Sequence, residues 1–105
     1  GEGRISSGGV ADLFALADLD RRATPAEALV HSSFARVEMV ILGGEVRLSS
    51  PGMAERGQLE LTNTFNTIQV DRSERCIRAP LQWLCSQAAP HVGRNLRLAG
   101  KQVRL

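Results

Sequence analysis

The 105-residue chain predicts a mostly β fold: a small β-sandwich, or the sheet of a composite domain, with two short helices. Three observations predict it. Two glycines, Gly43-Gly44, separate the runs Val37–Leu42 and Glu45–Leu48. A second pair of runs, Ile68-Gln69-Val70 and Arg75-Cys76-Ile77, flanks the turn residues Asp71-Arg72-Ser73. A third hairpin-like unit spans Leu96 to Leu105. Helix signals occur in only two places, Pro25–His31 and Pro80–Ala88.

Taken in order, Gly3 to Gly9 is turn-rich and opens into Asp12-Leu13-Phe14-Ala15-Leu16-Ala17. That run is short and apolar, and Asp18-Leu19-Asp20-Arg21-Arg22 follows it, a pattern that predicts a buried strand. The first helix has a clear start. Thr24 is placed to cap, Pro25 suits the first helical position, and Glu27 completes a Thr-x-x-Glu capping box. Ser32-Ser33 ends it. The glycine pair supplies the positive φ angles of a type I′ hairpin turn. Pairing across it sets Ile41 opposite Val46 and Met39 opposite Leu48 on an apolar face. Leu42 with Glu45 and Val40 with Arg47 make the other face half-polar. Ser49 to Gly57 reads as loop, part of a loop-rich connection over 49–66 in which Leu59 and Leu61 alternate with polar residues. In the second helix, Leu81, Leu84, Cys85 and Ala88 fall at i, i+3, i+4 and i+7, with Pro90 and Gly93 closing it.

Composition bounds what such a chain can do. At 11.4 kDa there is room for one small domain, 1–105, near the low end of self-sufficiency. Aromatics make up only 4%, so the core must be built from Leu, Val, Ile and Ala. No apolar run approaches the roughly 20 residues of a membrane helix, and no signal-peptide core is visible; the expectation is a soluble, cytoplasmic chain with no membrane partner. Cys76 and Cys85 form no Cys-x-x-Cys pair, and two cysteines make a poor disulfide framework, so both are expected as thiols. Residues 1–70 hold six Arg against nine acids, whereas residues 71–105 hold seven basic residues against Asp71 and Glu74. The basic charges alternate with apolar residues, which fits solvated faces of strands and a helix better than a nucleic-acid surface.

The opening spells Gly3-x-Ile5-x-x-Gly8-x-x-Ala11-Asp12-Leu13. This resembles the segment that follows the catalytic barrel in the amidohydrolase superfamily, the branch that includes cytosine deaminase and imidazolonepropionase. That family then shows a short helix and a strand–turn–strand. Pro25-Ala26-Glu27-Ala28-Leu29-Val30 and Val37 to Val46 have the same order and spacing, with Gly43 where the family often has Asn. The likeness covers residues 3–48; residues 49–105 resemble the family's variable extension far less. The resemblance implies a non-catalytic C-terminal β part of a metal-dependent hydrolase of C–N bonds, packed beside the barrel that holds a divalent metal such as zinc. The implied partner is that barrel, or a second copy of the chain.

No catalytic, cofactor-binding or metal residue can be assigned within the chain. Metal-assisted hydrolysis needs several His or carboxylate ligands converging on one ion. The only histidines, His31 and His91, stand 60 residues apart in neither a His-x-His nor a His-Glu-x-x-His pattern. His31 suits a helix C-terminus, and His91 a helix-ending turn. A zinc site from Cys76, Cys85, His31 and His91 matches no known spacing. Asp12 is expected to accept backbone hydrogen bonds in the Gly-rich turn before it. Gly3 to Gly9 lacks the Gly-Lys-Ser/Thr of a phosphate loop. Ser6, Ser7, Ser32 and Ser33 have no elbow motif, and Trp83 suits core or interface. Two rival functions remain: a free-standing β module that binds a protein partner through a sheet edge, and nucleic-acid binding by residues 72–104. Against the second, only Trp83 offers a stacking ring among those charges.

Overall fold

The computed structural model describes residues 3–17, 24–57 and 65–105. The mostly β class holds. Among the described residues seven strands form one curled antiparallel sheet: β1 (Leu13–Leu16), β2 (Val37–Leu42), β3 (Glu45–Ser49), β4 (Asn66–Val70), β5 (Ser73–Ile77), β6 (Arg97–Leu98) and β7 (Lys101–Arg104). Their order across the sheet is β1-β2-β3-β5-β4-β7-β6. Among the described residues three α-helices accompany it: α1 (Pro25–Val30), α2 (Pro51–Arg56) and α3 (Leu81–Val92). No described helix is long and apolar enough to cross a membrane.

Local chemistry explains most of these boundaries. At α1 the capping box closes as expected. Glu27 N–H donates to Thr24 Oγ1 at 3.2 Å, and Thr24 N–H donates to Glu27 Oε2 at 2.8 Å. The Thr24 N–H and, at 3.1 Å, the Thr24 hydroxyl both donate to Glu27 Oε2, which favours the ionised carboxylate and lowers its pKa. The hairpin turn has Gly43 at φ 60° and Gly44 at φ 80°, both left-handed, as a type I′ turn needs. The terminal hairpin turns on Ala99 and Gly100, at φ 50° and 79°.

Several expectations are corrected. In the central hairpin, Leu42 pairs Glu45 and Ile41 pairs Val46 as predicted. The register then shifts: Val40 pairs Leu48 and Met39 pairs Ser49. Arg47 is the extra residue of a β-bulge, so the predicted Met39–Leu48 and Val40–Arg47 pairs do not form. A bulge adds local twist, and β3 goes on from it to pair Leu48 and Ser49 with Ile77 and Cys76 of β5. The segment read as loop over 49–57 contains α2. Ser50 caps it, accepting Met53 N–H at 3.3 Å, and Pro51 opens it. The second hairpin turns on two residues, Asp71-Arg72, because Ser73 already pairs with Val70. Pro90 does not stop α3: the helix runs on to Val92, and Gly93 at φ 75° ends it. Leu59 and Leu61 lie outside the described residues.

The described core is thin and sits over the middle of the sheet. Its buried apolar residues are Ala54 of α2, Ile68 of β4, Cys76 of β5 and Val103 of β7. β1, expected to be buried, is instead an edge strand on which Leu13 is 41% and Phe14 58% exposed. A short apolar run looks the same from sequence whether its cover comes from its own domain or from elsewhere.

Candidate functional site

β1 forms one end of the described sheet. β1 pairs with β2 on one side only among the described residues, Leu13 with Ile41 and Phe14 with Val40. Both ends of that pairing are fastened. Asp12 Oδ1 accepts Gly43 N–H at 2.7 Å, and Ala11 carbonyl accepts Gly44 N–H at 3.0 Å. At the other end, Ala17 N–H donates to Arg36 carbonyl at 2.8 Å. Asp12 therefore acts as the structural acceptor expected of it, but toward the hairpin turn 31 residues later rather than the glycine turn before it. The Ala-Asp-Leu run and the Gly-Gly turn, far apart in sequence, form one unit.

Ile5 and Val10, which precede β1, are 89% and 79% exposed, and Leu13 and Phe14, on opposite faces of the strand, are exposed as well. An edge strand presents unpaired N–H and C=O groups, which can template a further strand.

The other residues singled out from sequence are scattered. His31 is the exposed C-cap of α1, its N–H donating to Glu27 and Leu29 carbonyls. His91 is exposed in the last turn of α3. Ser6 carbonyl accepts Gly9 N–H in the opening turn, where Ser7 is exposed. Ser32 Oγ donates to Leu29 carbonyl, and Ser33 precedes the 3₁₀ turn Phe34–Arg36. Trp83 is 59% exposed, which excludes it from the core. Among the described residues, no group of three His, Cys, Asp or Glu side chains could hold a metal ion.

Both cysteines are free thiols, but they differ in surroundings. Cys76 is buried in β5, and burial, with a smaller contribution from Glu74, raises its thiol pKa. Cys85 is half-buried on α3. A thiol-specific reagent is expected to label Cys85 promptly and Cys76 only as fast as the sheet opens. Equal labelling rates in the folded protein would contradict that burial. Because the folded state holds the Cys76 proton more tightly than the unfolded chain, its contribution to stability is complete below the unfolded value of about 8.5. It is lost as pH rises through the raised value.

Sequence reasoning missed Arg75. Its guanidinium is buried, with the residue 6% exposed, and it faces a ring of carbonyls rather than an acid. It donates to Val37 carbonyl at 2.8 Å, Ala35 at 2.7 Å and Glu74 at 2.6 Å, and stacks over the Phe34 ring 5.4 Å from its centroid. A buried charge is tolerated when its donors are satisfied. Arg75 thereby pins the 3₁₀ turn before β2 to the middle of the sheet. One signal was available: Arg75 pairs with buried Ile68, an inward position where an apolar residue is expected.

Matches were sought among protein-family models, curated proteins and solved structures, and none was found.

Proposed function

We propose that this chain is the non-catalytic, C-terminal β portion of a metal-dependent amidohydrolase, packing beside the catalytic barrel of the parent enzyme. The observation that carries the reading is the β1 end of the sheet. A four-residue apolar strand is fastened to the Gly43-Gly44 hairpin by Asp12, while its outer side and flanking apolar residues lack cover among the described residues. The residues that make this fastening, Ala11, Asp12, Gly43 and Gly44, belong to the run that resembles the family. A motif kept for chemistry would place side chains around a reacting centre; this one places backbone.

In this role the chain supplies support for the barrel and subunit contact. A divalent metal and the hydrolytic residues would belong to the barrel, and no step of that chemistry is placed on this chain.

The rival reading, a free-standing β module that captures a partner strand, uses the same edge. The two differ in what supplies the strand. The coding DNA directly upstream of Gly1 decides between them. An open frame that encodes a His-x-His pair and, nearer to Gly1, an isolated Asp is the expected result. An in-frame stop followed by a start codon immediately before residue 1 would overturn the amidohydrolase reading.

A further inference from the structure

At the opposite side of the molecule from β1, α3 is poorly supported. None of its twelve residues is buried, although Leu81, Cys85 and Ala88 are half-buried along one side. Twelve residues are about the shortest helix that holds its shape in water without packing. Its half-buried side borders a groove of about 260 Å³, with Cys85, Ala88 and Val92 on one wall and Leu96, Val103 and Leu105 on the other. Arg94 and Arg104 also line it.

Three features narrow what the groove would take. Its volume falls below the roughly 300–1,000 Å³ of sites that enclose a small organic ligand, but suits one or two apolar side chains used as anchors. Its charged side chains have one sign. Arg75 to Leu105 contains no Asp or Glu, and neither lining arginine pairs with a carboxylate among the described residues. No ring lines the groove, whereas single-stranded nucleic acid is held by stacking as well as by charge. Trp83 is two residues out of step with Cys85 and lies toward the other side of the helix.

We propose that this groove docks an acidic amphipathic protein segment. Its apolar side chains insert between α3 and the β6–β7 hairpin, and its carboxylates meet Arg94 and Arg104. This site is separate from the β1 edge and does not depend on the amidohydrolase reading.

Fluorescence anisotropy with the full chain and four labelled probes tests it. The probes are a synthetic helical peptide with leucine anchors and glutamates, its lysine counterpart, its counterpart with alanine anchors, and an oligothymidine. The leucine–glutamate peptide is expected to bind about ten-fold tighter than each of the others. Arg94→Glu combined with Arg104→Glu, two exposed substitutions whose folding is checked by circular dichroism, should reverse the preference between glutamate and lysine peptides. Binding of no peptide would overturn the proposal. So would equal binding of the glutamate and lysine forms, equal binding of the leucine and alanine forms, or tightest binding of oligothymidine.

Discussion

Arg75→Ala is expected to cost about 2–4 kcal/mol of folding stability, a large share of what holds a domain this small. The substitution removes the donors that satisfy the carbonyls of Val37, Ala35 and Glu74, and it opens a gap beside Phe34. Val37 is half-buried whereas Ala35 and Glu74 are exposed, so water replaces part of what is lost, and the remaining cost comes from the buried guanidinium's own bonds and packing. Arg75→Lys should recover only part of the loss. A single ammonium cannot span three separated carbonyls as the planar fork does. Urea denaturation of the three proteins, read as midpoints, checks the order wild type, Lys, Ala. An Ala midpoint equal to wild type would show that the buried guanidinium holds nothing.

Replacing both Gly43 and Gly44 with Val is expected to cost about 2–4 kcal/mol, at about 1–2 kcal/mol per residue. The cause is backbone strain alone. A Cβ at either position meets nothing within 4 Å, so no clash contributes, yet φ values of 60° and 80° are costly for a β-branched residue. The Gly43 N–H is also the group that Asp12 accepts, so the strained turn would loosen β1 from the sheet. Thermal unfolding should show the lowered stability, and hydrogen exchange should rise over Leu13–Leu16 together with Val37–Leu42. An unchanged midpoint would mean that other conformations at this turn serve equally well.

The features that were legible from sequence are those that need only neighbours in the chain. The Gly43-Gly44 turn, the Thr24–Glu27 capping box and the terminal hairpin are local, and each formed where its residues predicted. The errors came from information that is not local. Arg47 bulges out of the hairpin, and the apolar alternation across Gly43-Gly44 carries no sign of it. Ser50-Pro51-Gly52 reads equally as a turn or as the start of α2, and packing of Ala54 against the sheet favours the helix. The junction of β3 with β5 joins two hairpins that look independent in sequence. β1 shows the limit most clearly. Its composition is that of a covered strand, and the cover is not supplied by the described residues.

The site followed the same division. Asp12 was visible as a structural carboxylate, but its partner Gly43 was not, because 31 residues separate them. Asp71 repeats the device in the second half: its Oδ1 accepts Gln102 N–H at 2.9 Å, fastening the β4–β5 turn to β7. Two aspartates thus each fasten a hairpin turn to a distant strand, Asp12 from just before β1 and Asp71 from within the β4–β5 turn. Asp favours such places because its short side chain bonds nearby backbone and tolerates left-handed φ, here 52° at Asp71.

The central claim is that the β1 edge is built to be completed by another polypeptide. Light scattering of the isolated chain over a dilution series tests it most directly, alongside a Leu13→Lys, Phe14→Lys variant. Both positions are exposed, so the variant should fold, and charges on an edge strand oppose strand addition. The account predicts that the wild-type chain self-associates as concentration rises through the micromolar range while the lysine variant stays monomeric with the same circular dichroism. A wild-type chain that remains monomeric at high micromolar concentration and unfolds cooperatively would contradict it.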